Sequence, residues 1–376
     1  MMKIIYLSTA RVPDQWAHTT QIMKTCEALA QLGHEVELVV PRRSGTRPDD
    51  PFASAGVERL FSIRKLPCID LFPGTRSRLL YLLRTYSFYA SARCYLAFAR
   101  YDRLYTRELS RWIPFRNTVF ELHTIQPMLR VMLSRLKRSR GVVTITAGIR
   151  TELIVRGVPA ERITVAPDGV DLAAFEHPEP QAIARRRLGI PEGVPVALYI
   201  GLLDAWKGAD TLYAAARLLA PAVRVAIIGE SSESPLEDLR RDHPGVLFLG
   251  YRPYRELADN QAAADVLVLP NSGKSDLSAR FTSPLKLFTY MASRKPIIAS
   301  DLPSLREVLS DNDAFFVQPD DSAALAEGIR TALSHPEEAA ARATAARDKA
   351  EQYTWSARAS RINTLLSFID QPVQPV

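Results

Sequence analysis

Short runs of β-branched and aliphatic residues recur along the chain, separated by longer stretches whose apolar positions follow a helical period. In the first half the runs are 3–8 (KIIYLS), 35–40 (EVELVV), 103–106 (RLYT), 118–122 (TVFEL), 142–146 (VVTIT) and 162–165 (RITV). Between the first two, Ile22, Met23, Cys26, Leu29 and Ala30 fall at helical spacing, and Gly33 stands where a helix would end. The second half keeps the rhythm, with strands expected at 195–200, 223–228, 246–248, 265–269, 296–299 and 314–317 and a helix over 208–219. Strands alternating with helices give parallel sheets, so the pattern predicts an α/β chain.

A length of 376 residues exceeds what one hydrophobic core holds, and two domains are expected. His177-Pro178-Glu179-Pro180 and Pro191 break up a polar stretch at 170–193, where a linker fits. The first domain is placed at 1–175 and the second at 190–352. Beyond Pro336 an Ala-, Glu- and Arg-rich helix runs to about 352, Tyr353-Thr354-Trp355 interrupts it, and a last helix follows at about 355–370. With 47% hydrophobic and 24% charged residues, the chain is neither disordered nor fibrous. No stretch reaches the roughly 20 apolar residues that span a bilayer. Cys26, Cys68 and Cys94 lie far apart, giving neither a disulfide framework nor a zinc site. The apolar run Ile4-Ile5-Tyr6-Leu7 is too short for a signal-peptide core, and a cytoplasmic location is expected.

Charge divides the two halves. Residues 1–175 carry a net +11 and residues 176–376 a net −4, and 76–140 alone accounts for +11. Something anionic is expected to meet that surface. Within it, Arg76, Arg78, Arg84, Arg93 and Arg100 interleave with Leu79, Tyr81, Leu82, Leu83, Tyr86 and Phe98, and Arg130, Arg135, Lys137, Arg138 and Arg140 with Met128, Val131 and Met132. The segments 76–100 and 128–140 read either as basic amphipathic helices for an anionic membrane surface or as ordinary helices packed on a sheet. No recognised nucleic-acid module is present, so nucleic acid is not expected as a partner.

The candidate chemistry lies in the second half. Tyr199-Ile200-Gly201 ends a strand, Lys207-Gly208 opens the next helix, and Thr282-Ser283-Pro284-Leu285-Lys286 is a polar turn that feeds another. A lysine beside a helix N-terminus makes an anion site, and two of them suit a diphosphate. Taken singly, Lys207 and Lys286 are equally solvated lysines at helix starts, and Ser283 an N-cap with Pro284 in the first turn. Asp311-Asn312-Asp313 reads as a turn rather than a metal site, and no metal or cofactor is expected.

These motifs, together with Phe248-Leu249-Gly250, Glu256, Ala264-Asp265-Val266, Pro296-Ile297-Ile298-Ala299, Thr146 and Pro167-Asp168-Gly169-Val170-Asp171, resemble the retaining GT-B glycosyltransferases of family 4 over nearly the whole chain. The resemblance implies two Rossmann-like domains facing across a cleft, with the acceptor on the first, the nucleotide-sugar on the second, and the last helix crossing back to the first. It implies transfer of a sugar from a nucleoside-diphosphate-sugar to a glycan or lipid-linked acceptor, without a metal, at a cytoplasmic or peripheral membrane location. Carried over by position, Gly201, Lys207, Gly250, Arg252, Thr282, Ser283, Pro284, Leu285, Lys286 and Thr289 would hold the donor. His123 would stand beside the sugar as the catalytic residue, and His18 and Thr19 on the acceptor side. Two family glutamates fall at Phe281 and Thr289, a basic position is Leu202, and the N-terminal Gly-Gly loop is Trp16-Ala17-His18-Thr19. A nucleotide-sugar epimerase of the same fold needs cleft carboxylates, which those departures remove. A non-enzymatic binder of polyanions or membranes is the other alternative.

Overall fold

The computed structural model describes residues 1–14, 16–44, 50–70 and 77–367. Contacts divide the chain into two compact units, Met1–Pro167 with the segment from Trp355 onward, and Asp168–Thr354.

The first unit is a seven-stranded parallel sheet: β1 (Lys3–Leu7), β2 (Glu35–Pro41), β3 (Ser62–Leu66), β4 (Arg103–Thr106), β5 (Thr118–Leu122), β6 (Gly141–Thr144) and β7 (Ile163–Val165). Their spatial order is β3-β2-β1-β4-β5-β6-β7. The order reverses between β1 and β4, and the crevice at the carboxyl ends of such a strand pair is where α/β sheets bind ligands. Six strands fall where the apolar runs place them. The seventh, β3, reads SIRKL and lies at the edge, where exposed Arg64 and half-buried Lys65 suit an unpaired border. The helix Ala17–Gln31 packs Ile22, Met23, Cys26 and Leu29 inward. The helix Trp355–Ser367 lies beside it, with Ile362, Leu365 and Leu366 buried. Gly141 lets that last helix come close, since a Cβ there would stand 2.5 Å from a Leu365 methyl.

The second unit is a six-stranded parallel sheet: β8 (Val196–Ile200), β9 (Arg224–Ile228), β10 (Val246–Gly250), β11 (Val266–Leu269), β12 (Ile297–Ser300) and β13 (Phe315–Val317), ordered β10-β9-β8-β11-β12-β13. Its reversal lies between β8 and β11. Strands such as VALYI and VLVL are almost wholly buried because helices cover both faces.

The unit boundary differs from the expected linker. Residues 168–175 belong to the second unit, where the Val170 amide bonds the Tyr353 carbonyl at 2.9 Å and Phe175 enters the core. The polar 170–193 stretch is ordered in the same unit, because Gln181–Leu188 is a helix whose Arg185 bonds Asp265. The expected strand at 142–146 ends at Thr144, and Thr146 caps the next helix by accepting from the Ile149 amide at 3.2 Å. In Asp311-Asn312-Asp313 the carboxylates are occupied: Asp311 by Arg306 at 2.9 Å, Asp313 by Lys349 at 2.6 Å and by Ser310.

Candidate functional site

In the second unit the strand-to-helix turns gather at the β8/β11 switch point. Gly201 leaves β8 with φ +145 and donates to the Ile228 carbonyl at 2.9 Å. A Cβ on Gly229, after β9, would stand 1.9 Å from the Gly201 carbonyl oxygen, and the Gly229 amide bonds the Gly250 carbonyl at 3.0 Å. Glycines at the ends of three adjacent strands therefore bring bare backbone to one edge. Gly208 is as tightly placed: with φ +79, its Cβ would fall 1.7 Å from the Pro270 carbonyl oxygen that follows β11.

Lys286 opens the helix Leu285–Ala292 and crosses to this turn. Its ammonium lies 3.7 Å from the Tyr199 ring centroid and is buried without a hydrogen-bond partner among the described residues. A Cβ on Gly201 would sit 3.0 Å from that nitrogen. Burial, and then the charge of Lys207, lower the Lys286 pKa well below the usual lysine range, against a small opposing pull from Asp204. Lys207 is held by Asp204 at 3.0 Å and lies over Trp206; burial lowers its pKa too, with Asp204 opposing. Tyr290 fixes the helix to the strand, its hydroxyl accepting from the Ile200 amide at 2.8 Å. The first-turn amides of Leu285 and Lys286 have no carbonyl a turn earlier to bond. Two lysines, one of them without a hydrogen-bond partner among the described residues, beside a helix start and a glycine turn have the chemistry that suits an anion.

Two expectations are corrected here. Ser283 is not the N-cap: Pro284 holds that position in extended conformation, and the buried Ser283 hydroxyl has no hydrogen-bond partner among the described residues. Thr289 has no exposed hydroxyl to offer, being 1% exposed, with its hydroxyl donating to the Lys286 carbonyl and accepting from Gln261 Nε2 at 3.0 Å. Thr282 is buried, Pro284 and Leu285 are partly so, and Phe281 closes a wide π-type turn, Leu277–Phe281, as a buried ring. Gly250 ends β10 with φ +73, and the Arg252 guanidinium turns back to the Tyr251 carbonyl.

In the first unit the focus is Glu121, a carboxylate inside the apolar run TVFEL and 1% exposed. It accepts from Arg358 at 2.8 Å, Gln21 at 2.7 Å, the Tyr105 hydroxyl and His123 Nε2. Burial alone would raise its pKa, but Arg358, with His123 and Arg107, outweighs burial and holds it well below the usual carboxylate range. Burial, then the Arg107 cation, push His123 down to about 4 despite Glu121. The imidazole is neutral at neutral pH, donating through Nε2 and leaving Nδ1 as an acceptor. His123 keeps about a fifth of its side chain exposed (22%), beyond the end of β5.

His18 lies in the first turn of Ala17–Gln31 with much of the residue open to solvent, and the partial desolvation of its ring, then the Arg107 and Arg43 cations, lower its pKa. Thr19 is buried instead, its hydroxyl spent on the Arg11 carbonyl at 3.3 Å. Sequence reasoning did not single out Arg107, Arg358 or Gly229; a lone Glu in an apolar strand was the signal that some buried cation must answer it.

The basic segments divide. Arg76 lies outside the described residues. The helix Arg78–Phe98 buries Phe88, Tyr89, Ala92 and Leu96, whereas its first half leaves Leu79 75% exposed, with Tyr81, Leu82, Leu83 and Tyr86 also exposed. In Met128–Leu136, Leu129, Met132 and Leu136 are buried. Arg135 bonds the Arg111 and Ile113 carbonyls, so part of the positive charge is structural. No helix among the described residues is long and apolar enough to cross a membrane.

The sequence pattern of Glycosyltransferase Family 4 matches residues 19–174, and that of Glycosyl transferases group 1 matches 194–335, together about four-fifths of the chain. The chain belongs to the group 1, family 4 glycosyltransferases. A D-inositol 3-phosphate glycosyltransferase of Xylanimonas cellulosilytica is 31% identical over 224 residues, covering 54% of this chain and 51% of the relative. The chain thus spans about half the length of the curated relatives it matches. Sucrose-phosphate synthase from Thermosynechococcus elongatus superposes with a TM-score of 0.77 at 22% identity, covering 97% of this glycosyltransferase-family chain and 98% of its own. Anabaena Alr3699/HepE, solved with UDP and glucose, gives 0.75 at 18% identity, covering 98% and 100%. These likenesses establish the GT-B fold of two parallel α/β sheets.

Proposed function

We propose that the protein is a retaining glycosyltransferase that moves a hexosyl group from a nucleoside-diphosphate-sugar to a glycan or lipid-linked acceptor. The observation that carries the reading is the buried Lys286 ammonium, without a hydrogen-bond partner among the described residues, beside Lys207 at the β8/β11 switch point. A buried cation without a hydrogen bond is costly, and a diphosphate is the ligand that two lysines and helix amides suit. The UDP complexes among the structural neighbours support a uridine nucleotide as the first donor to test.

In the reaction the bond from the anomeric carbon to the diphosphate oxygen breaks, and the acceptor oxygen bonds that carbon on the same face. The acceptor proton passes to the departing phosphate. Lys207, Lys286 and the Leu285 and Lys286 amides stabilise the charge that develops on the leaving group, the largest contribution such sites make, so that no metal is needed. Neutral His123, fixed by Glu121, acts next to the sugar.

The exposed apolar first half of Arg78–Phe98, flanked by arginines, supports peripheral docking on an anionic membrane, which would bring a lipid-linked acceptor to the first unit. Calorimetry against UDP, GDP and ADP and their sugars tests the donor site. Absence of binding to all of them removes the glycosyltransferase reading. Sedimentation with anionic liposomes tests the docking; equal recovery in the supernatant with and without them removes it.

A further inference from the structure

Asp204 places a carboxylate among the lysines that suit an anion in the second unit. It directly precedes the short turn Ala205–Lys207, and its side chain caps none of that turn's amides. Instead Oδ2 accepts from the Lys207 ammonium at 3.0 Å, and Oδ1 accepts from the Ser232 hydroxyl, beyond β9, at 3.0 Å. Only 13% of the Asp204 side chain is exposed. Its charge reaches Lys286 as well, where it opposes the lowering of that lysine's pKa. Asp210, Glu230 and Glu233, on the neighbouring turns, are exposed, where water and salt screen their charges.

A carboxylate in that place works against any anion lying on the two lysines, and against a trianion more than a dianion. The diphosphate of a nucleoside-diphosphate-sugar carries two negative charges. The departing phosphate takes the acceptor proton and, on releasing that proton to water above about pH 6, brings the product to three. Lys207, Lys286 and the helix amides attract the more highly charged product more strongly than the donor, so a site of cations alone would hold its product. Asp204 offsets that bias where the cations are concentrated. A side chain so little exposed is weakly screened, and its repulsion persists at physiological salt.

We infer that Asp204 sets this site's preference for the nucleoside-diphosphate-sugar over the free nucleoside diphosphate, and so eases product release. This rests on the glycosyl-transfer reading and deepens it at the donor site. Two roles for the carboxylate are separable. As a support for Lys207 alone it helps donor and product alike, and its loss weakens both. As a source of repulsion it penalises the product most, and its loss tightens the product most.

The test is calorimetry of the full chain with UDP and with UDP-glucose, in buffers free of divalent metal, which would mask the phosphate charge. At about pH 7.5, Asp204→Asn raises the affinity for UDP relative to that for UDP-glucose by about fivefold or more over the parent, whereas Asp204→Glu, which keeps the charge, leaves the ratio near the parent's. At about pH 5.5 the terminal phosphate of UDP holds its proton, the two nucleotides carry equal charge, and Asp204→Asn shifts the ratio less than about twofold. Asp204→Ser takes the place of the Asn variant should that one unfold. GDP and ADP, with GDP-glucose and ADP-glucose, replace the uridine pair where the parent binds those instead. A ratio unchanged at the higher pH, a loss of both affinities together, or a shift equally large at the lower pH overturns the inference and leaves Asp204 a support for Lys207. No binding of any of these nucleotides by the parent chain fails the donor reading itself, so the two failures are read apart.

Discussion

Arg358, on the last helix, meets Glu121 of β5 at 2.8 Å, both side chains essentially removed from water and 237 residues apart in sequence. The pair anchors that helix to the first sheet, with Arg358 also bonding the Thr25 hydroxyl at 3.1 Å. Removing one partner of a buried ion pair strands the other charge, at a cost of about 3–5 kcal/mol. Arg358→Met should therefore lower stability by that order in a denaturant titration, and Arg358→Met with Glu121→Gln should recover much of it. Equal stability of the single variant and the parent would show that the pair does not anchor the helix.

Much of the architecture was legible because the parallel sheets announce themselves. VALYI and VLVL are apolar on both faces, and all six second-unit strands lie where such runs occur. β3 escaped notice because SIRKL is an edge strand whose charged residues protect a border instead of filling a core. The two lysines were visible as helix-start cations, but that Lys286 has no hydrogen-bond partner among the described residues is a property of packing against Tyr199 and Gly201. Glu121 looked like one residue in a strand next to a histidine. Its partner Arg358 lies in a different stretch of chain, and no local pattern joins them.

Charge-assisted contacts to a diphosphate are worth about 1.5–3 kcal/mol each, so Lys207→Ala and Lys286→Ala should each weaken nucleoside-diphosphate binding roughly ten- to hundredfold. Lys286 adds a pH signature. Its lowered pKa means that part of its population gives up the proton as pH rises, and a bound diphosphate draws the proton back. Affinity should fall with rising pH, and the binding enthalpy should change between buffers of different ionisation enthalpy. Lys286→Arg should abolish that buffer dependence; a dependence unchanged in it would assign the proton to another group.

Gly208 tests the turn by backbone geometry alone. Ala at φ +79 is strained, and its Cβ would meet the Pro270 carbonyl oxygen at 1.7 Å, an overlap that side-chain motion cannot relieve. Gly208→Ala should cost well over about 1 kcal/mol. Gly193→Ala, at φ +81 with nothing within 4 Å, should cost only about that amount. Equal melting temperatures for the two variants would mean that the turn opens easily at Gly208.

His123 couples chemistry and stability through its protonation. Its folded-state pKa of about 4 lies below the usual value near 6.5, so between those pH values the unfolded chain binds the proton and the folded chain does not. The histidine's contribution is complete above pH 6.5, is lost as pH falls towards 4, and changes no further below that. His123→Asn, whose amide can still donate to Glu121, should flatten the stability profile across that window. In kinetics the neutral ring is already present at pH 6–8, so no histidine break near 6.5 should appear in kcat. On the proposed catalytic role, the substitution should lower kcat far more than donor affinity, because a catalytic group acts mainly in the transition state. A variant with parental kcat and a flattened stability profile would make His123 a structural partner of Glu121 and nothing more.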